Sequence, residues 1–542
     1  MSDSEKGTTA TTPTSHVTDK RQFNWYNVFM VVVVSWGAFA YGYSTAIIGP
    51  TLAQPSFEEY FELETRPNAN ALISTMSGLY STGGFLGVFT VPWVADKFGR
   101  KWGIVYPTIF TLISGAFCAG STNIGEFILF RFISGAGAFM LLAAVPIWVN
   151  EVVPPKTRGG FITLMGLMLL AGYNVALWAS YGFFFFRPTA NNQWRAPLGL
   201  QCLPATIVLV CMPWIPESPR WLVMKDRIED ARAVLRKLHE PDEAEVEMRQ
   251  IQAQISIDRT LPNGWMVMLF KKPSYRKRSM LGFGTTASIQ FSGILVINIY
   301  GPTIYASLGY GVSTQLLLAA CWVGAAFVGS VLSMFIVDRV PRPKLMAGGM
   351  IACVIVLIVE CILIAQNPIG PNVNTAALKA AVAMIFLYVV CYEFMNNVQL
   401  GFLGEIFPFH LRSKGIALGV SGICLLNIIW LQAAPTALEN IGWKYYLCFI
   451  IPSSIAAVLI LLFWPDTNGM PLEEVARLFG DEEELFGENH KHDADHAGAM
   501  ENGLVARERA NTTSEDNGNT AAGASAAVDG EGKEVTTAVI RL

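Results

Sequence analysis

Twelve apolar stretches, each about the length needed to cross a bilayer, leave this 542-residue chain few ways to fold. A transmembrane helix takes about 20 mostly apolar residues. Such runs lie near 27–49, 70–94, 103–120, 124–149, 161–185, 197–215, 280–305, 314–337, 346–365, 377–403, 413–434 and 443–464. Only 15% of the residues are charged, against about 25% in a soluble protein. Those charges gather in two tails, one central stretch and a few short links. The pattern is that of an all-α polytopic membrane protein with twelve transmembrane helices in two six-helix bundles. Nine cysteines sit inside the apolar runs without CxxC spacing and read as small packing residues. The net charge of −4 is dominated by an acidic C-terminal tail and says little about partners.

The central stretch, Pro216 to Ser279, divides the chain into halves of similar length. Its basic end, with Lys271, Lys272, Arg276, Lys277 and Arg278, belongs on the cytoplasmic side. Lys97, Arg100 and Lys101, then Arg158, then Arg339, Arg342 and Lys344, then Arg412 and Lys414 fall in links on that same side. The opposite links are lean in cations apart from Arg187 and Arg195. The expected plan is a cytoplasmic tail (1–24), a first bundle (25–215), a cytoplasmic helical loop (216–279), a second bundle (280–466) and a largely disordered cytoplasmic tail (467–542). Residues 1–22 are a polar tail and not a cleaved signal, so the first span is the insertion signal. His490, His492 and His496 are read as incidental residues of the C-terminal tail, not as a metal site. Two six-helix halves around a loop also fit an internal repeat about an axis along the membrane normal.

Charged motifs repeat between the halves. Asp96-Lys-Phe-Gly-Arg100-Lys follows the second span, and Asp338-Arg-Val-Pro-Arg342-Pro-Lys follows the eighth. Asp96 is placed to cap a helix and to pair with Arg100 or Lys101. Glu151 with Pro154 and Arg158, and Glu405 with Pro408 and Arg412, share a second spacing. Charge at a helix end in a membrane protein persists only when paired. The expectation is therefore that Glu151–Arg158 and Glu405–Arg412 pairs hold the halves together in one state and break in another. Arg131, within the fourth span, adds a further cation.

DKFGRK, RFISGAGAF, PIWVNEVVPPKTRGG, PESPRWL, QFSG, EIFPFHLRSKG and PDTNG, in this order over roughly residues 25–475, resemble the signature set of the sugar porter family of the major facilitator superfamily, with a fungal flavour. The resemblance implies two bundles rocking in alternating access, loop helices that latch them, and Glu217 and Arg220 of PESPRWL as part of the charged face. It also exposes departures. Ser44 stands where symporters of the family carry a proton-binding Asp. Gly166 aligns with a sugar-binding Gln, helix seven keeps Gln290 and Tyr300 but lacks a second Gln, an Asn and a second Tyr, and Leu400 replaces a Trp. Each donor lost from a hexose site costs about 1–3 kcal/mol for the partner left unpaired.

In the tenth span Glu393, Asn396, Asn397 and Leu400 recur at helical spacing and share one face. Polar groups at membrane depth face a cavity or a partner helix. With Gln290, Asn298, Tyr300, Asn174 and Asn427 they are the candidate substrate-binding residues, and Trp178 and Trp430 are weaker candidates. Glu393 is the candidate proton carrier, with Glu360 a lesser one nearer the outer interface. The expected function is carriage of a sugar or sugar-like polyhydroxylated solute, facilitated or proton-coupled. The alternative is the same fold carrying a polyol or quinate-like acid, or exporting a secondary metabolite. A non-transporting sensor finds little support in the low-complexity tail, and no nucleotide loop, metal set or nucleophile triad points to an enzyme. Expected partners are a small solute, a proton and the bilayer of the plasma membrane around a monomer, with no nucleic acid and no cofactor.

Overall fold

The computed structural model describes residues 25–153, 158–186, 192–238, 241–337, 339–367, 375–468, 470 and 472–481. The two tails up to 24 and from 482, Arg187 and Asp338 lie outside the described residues, as does the side chain of Arg158. Every predicted span is helical, and no strand occurs among the described residues. We number the membrane helices α1 (Trp25–Ala46), α2 (Ala69–Val88), α3 (Arg100–Gly120), α4 (Ile124–Val152), α5 (Arg158–Phe184) and α6 (Cys202–Cys211) in the first half. The second half has α7 (Pro273–Gln290), α8 (Val312–Met334), α9 (Arg342–Gln366), α10 (Thr375–Ile406), α11 (Arg412–Ile441) and α12 (Leu447–Phe463). By length and hydropathy alone ten stretches qualify as spans. One of them, Phe409–Phe463, contains both α11 and α12, while the Ser-, Thr- and Gly-rich α2 does not qualify.

Packing within each half depends on small residues, because lipid provides no hydrophobic drive between helices and close approach must supply the contact. A Cβ on Gly83 of α2 would sit 2.0 Å from the carbonyl oxygen of Phe132, and one on Gly135 of α4 would sit 1.8 Å from that of Tyr80. The two backbones therefore touch where the SGAG motif lies. α1 meets α5 in the same way, with a Cβ on Gly42 falling 2.1 Å from the Leu169 carbonyl oxygen. The halves meet along α2 with α11 and α5 with α8. Those are the second and fifth helices of each half exchanging partners, as an internal two-fold axis requires.

Two interruptions shape the middle of the molecule. At Phe291–Gly293 α7 breaks and resumes as Ile294–Ile299 and Gly301–Ser307. Gly293 adopts φ +75°, and a Cβ there would lie 2.6 Å from the Phe449 ring, so glycine is required twice over. The carbonyl freed at Ser292 accepts from Tyr388 Oη at 2.7 Å. The central stretch folds as helices Pro219–Met224, Ile228–Leu238 and Pro241–Thr260 around a small core of Trp221, Leu222, Leu235, Met248 and Ile251. Ile228–Leu238 buries Ala231, Leu235 and Leu238 along one stripe, with Glu229 and Asp230 in its first turn and Arg236 and Lys237 in its last. A further helix, Leu472–Phe479, lies within the stretch read from sequence as tail. Just beyond its end, buried Asp481 accepts from Arg278 Nη2 at 2.8 Å and pairs with Lys272 Nζ at 3.0 Å.

Gly135→Val is expected to force α2 and α4 apart. The variant should lose its monodisperse size-exclusion peak in mild detergent, whereas Gly166→Ala, whose Cβ meets nothing within 4 Å, should keep it.

Candidate functional site

The charged face carries one device twice. In the first half Arg100 opens α3, is 5% exposed, and donates through Nε to both oxygens of Glu151 at 3.0 and 2.9 Å. Its Nη1 donates to Asp96 Oδ1 at 2.6 Å. Ser218 Oγ donates to Glu151 Oε2 at 2.6 Å and caps the helix Pro219–Met224 at Trp221 N. Glu217 accepts from the Lys101 and Ser218 amides at 3.1 and 2.9 Å. Burial pushes the Glu217 carboxyl upward from its ordinary value, and the amides of Ser218, Lys101 and Arg100 oppose that shift. Gly99, at φ +119°, leaves room for this carboxylate, since a Cβ would lie 2.2 Å from Glu217 Oε2.

In the second half Arg342 opens α9 and donates through Nη2 to Glu405 Oε1 at 3.0 Å. Thr467 Oγ1 donates to Glu405 Oε2 at 2.5 Å, and Asp466 Oδ1 accepts from the Arg342 amide at 3.0 Å. Pro465-Asp466-Thr467 thus repeats Pro216-Glu217-Ser218, each tripeptide closing its own half.

This corrects the expected pairing of Glu405 with Arg412. Glu151 and Glu405 accept, within their halves, from Arg100 and Arg342 of the earlier Asp96 and Asp338 motifs. Arg158's side chain lies outside the described residues, and the Arg412 guanidinium sits 5.6 Å over the Phe409 ring. Contact across the halves at this face comes from Lys414 Nζ, 3.6 Å from Asp96 Oδ2, and from Arg220 over Phe409 at 4.5 Å. Arg131 is a separate case, 1% exposed in α4. It donates to the Ser44 carbonyl at 3.3 Å and stacks 4.2 Å over Tyr80, while its Nε and Nη2 find no acceptor.

Between the halves lies a cavity of about 1320 Å3, counting its open mouth. At the face opposite the charged one the walls close. There a Cβ on Gly49 would lie 2.6 Å from the Ile299 carbonyl oxygen, Gln432 bonds Ser74 at 3.4 Å, and Asn70 bonds Glu439. Toward the charged face the lining runs on to Met334, Val337 and Gly401.

Of the candidates, Gln290, Asn298, Glu393, Asn396, Asn397 and Asn427 all line this cavity. Glu393, 2% exposed, accepts from Asn396 Nδ2 at 3.1 Å, and Gln399 Nε2 donates to Asn396 Oδ1 at 2.6 Å. Asn397 also ties α10 to α8 by donating to Ser330 Oγ at 3.0 Å. Two candidates fall elsewhere. The Tyr300 hydroxyl donates to the Leu431 carbonyl at 3.3 Å, and Asn174 Nδ2 bonds the Leu170 and Val323 carbonyls at 3.0 and 3.4 Å, joining α5 to α8. Trp178 is 45% exposed, Trp430 packs on Phe449, and Glu360 is buried outside the cavity lining. Sequence reasoning missed Tyr41, Tyr173, Trp322 and Tyr392. Tyr392 was within reach, because Tyr392, Asn396 and Gln399 recur at i, i+4, i+7. The others sit in unbroken apolar runs that carry no such signal.

Two six-helix halves around a central cavity, each locked at one face by an ion pair, buried in the first half and half-buried in the second, define a carrier of the major facilitator type. The Sugar (and other) transporter family profile matches residues 30–479, and the chain belongs to that family. It is an integral membrane carrier of sugars or related solutes. Among relatives, MFS-type transporter criB of Aspergillus cristatus is 28% identical, covering 84% of this chain and 93% of its own. A probable quinate permease of Aspergillus fumigatus is also 28% identical, covering 85% and 89%. The fold matches the proton:xylose symporter XylE bound to 6-bromo-6-deoxy-D-glucose with a TM-score of 0.72 at 23% identity, covering 84% of this chain and 99% of that one. XylE is a protein of E. coli.

Arg100→Ala leaves Glu151 buried without its cation, and breaking a buried pair from one side costs about 3–5 kcal/mol. Thermal melts in detergent should show that loss, and Arg100→Ala with Glu151→Ala together should destabilise by less than the sum of the two single changes.

Proposed function

We propose that the cavity is the transport site and that its solute, a sugar-like or related molecule bearing hydroxyl groups, crosses by alternating access with a proton carried on Glu393. The observation that carries this reading is the lining itself. Glu393 is the one carboxyl among the described lining residues, and no Lys, Arg or His joins it. A carboxyl at membrane depth marks a solute or proton path by default. Held by a neutral amide and open to solvent from one side at a time, it is placed to exchange a proton as the halves rock. Ser44 offers no proton site at physiological pH, so coupling falls to Glu393.

The charged face is assigned to the cytoplasm, because Lys97, Arg100, Lys101, Arg342, Lys344, Arg412 and Lys414 concentrate there. Both tails then lie in the cytoplasm, the protein works as a monomer in the plasma membrane, and the geometry corresponds to a site open to the cytoplasm. The intra-half networks keep each bundle rigid, while the sparse contacts between Asp96 and Lys414 and between Arg220 and Phe409 are those that must part and re-form.

In proteoliposomes, an imposed inward proton gradient is expected to drive accumulation of a transported solute above its external concentration. Glu393→Gln should reduce that accumulation by about tenfold or more, a factor equivalent to about 1.4 kcal/mol. Accumulation that persists in Glu393→Gln would remove the proton from this residue, and uptake indifferent to the gradient in the unaltered protein would make the carrier a uniporter.

A further inference from the structure

We infer that the cavity selects an uncharged amphipathic solute, with hydroxyl or amide groups along one edge and an aromatic or alicyclic face along the other, and that it rejects carboxylates. This rests on the reading that the cavity is the transport site. The two halves contribute unlike walls. Among the described lining residues every amide and the single carboxyl come from α7, the Ile294–Ile299 helix that continues it, α10 and α11, including Gln290, Asn298, Glu393, Asn396 and Asn427. The first half contributes Leu142, Met165, Leu169 and Leu170, with the Tyr41 and Tyr173 phenols as its side-chain polar groups. Gly166 sits in that wall, and a Cβ there would meet nothing within 4 Å.

A free hexose carries hydroxyls around its whole rim. Those turned toward its aliphatic side chains, beyond reach of the Tyr41 and Tyr173 hydroxyls, would give up water and find no partner, and an unpaired buried polar group is costly. A solute with one hydrocarbon face avoids that loss and gains from burying the face. Trp322, whose indole N–H is held by the Ile385 carbonyl at 3.0 Å, adds a fixed aromatic surface at the edge of the polar wall. A carboxylate fares worst. It enters a low-dielectric space that already holds Glu393, and no cation lines that space among the described residues.

Three probes separate these chemistries in counterflow exchange by the purified full chain in proteoliposomes: phenyl β-D-glucoside, glucose and quinate. Phenyl β-D-glucoside is expected to exchange with a specificity at least about tenfold above glucose, within the range a hydrocarbon pocket confers, and quinate to stay at background. Gly166→Gln, which sets an amide into the open space of the apolar wall, should shift the glucoside-to-glucose ratio toward glucose by about tenfold while the protein stays monodisperse. Glucose exchanged as well as the glucoside, quinate exchanged above background, or a ratio unmoved by Gly166→Gln would each overturn the inference and leave the carrier intact. No exchange of any probe, together with no quenching of tryptophan fluorescence by any of them, would overturn the transport-site reading and this inference with it.

Discussion

A charge buried or half-buried at the edge of a bilayer has to be matched, and the matching of Arg100 with Glu151 and of Arg342 with Glu405 organises this protein. Removing such a pair from water is expensive, and the cost is offset only by good geometry and by satisfying the remaining lone pairs. Here the carboxylates take two guanidinium contacts in one half and one in the other, and each adds a hydroxyl from the segment that ends its half. That arrangement joins the start of the third helix, the end of the fourth and the exit segment into one rigid corner. The tight turn at Gly99, the cap at Ser218 and the placement of the loop helices all follow from it.

Rigid corners within the halves and only a few polar ties between them at the charged face suit a carrier whose halves rock. The ties across the charged face, a partly exposed Lys414–Asp96 pair at 3.6 Å and a cation–π contact, are of the kind that water and salt weaken. At the opposite face backbone meets backbone at Gly49 and Ile299, so closure there is steric and not ionic. Between the two faces the amides and the carboxyl of the cavity lining lie on the second half's side, opposite a first-half wall of aliphatic side chains and two tyrosines.

Much of this was legible in the residues. The apolar spans and the order of the charged motifs follow from hydropathy and charge placement, and the loop helices from the resemblance of PESPRWL and its companion motifs to the sugar porter set. The face of α10 bearing Glu393, Asn396, Asn397 and Leu400 followed from helical spacing alone. The charge partners did not. Glu405 and Arg412 are seven residues apart and invite pairing, yet the guanidinium that reaches Glu405 comes from Arg342, 63 residues earlier. Asn174 and Tyr300 look like site residues for the same reason that they pack well: an amide or hydroxyl inside an apolar run needs a partner, and a carbonyl on a neighbouring helix serves. Sequence spacing cannot tell a carbonyl partner from a solute.

By itself, then, the sequence determined that this chain crosses the membrane twelve times, that its halves repeat, and which face carries the charge. Length, hydropathy and cation placement are local properties, and the bilayer reads them one segment at a time. Only the tertiary structure decided which side chains share a space. It closed Arg100 on Glu151, drew Thr467 back to Glu405, sent Asn174 to a helix carbonyl, and set an aliphatic wall opposite an amide wall. Those outcomes depend on how helices pack within and between the halves, and glycine contacts such as Gly135 against Tyr80 in the first half and Gly49 against Ile299 between the two set that packing through distances no single segment contains.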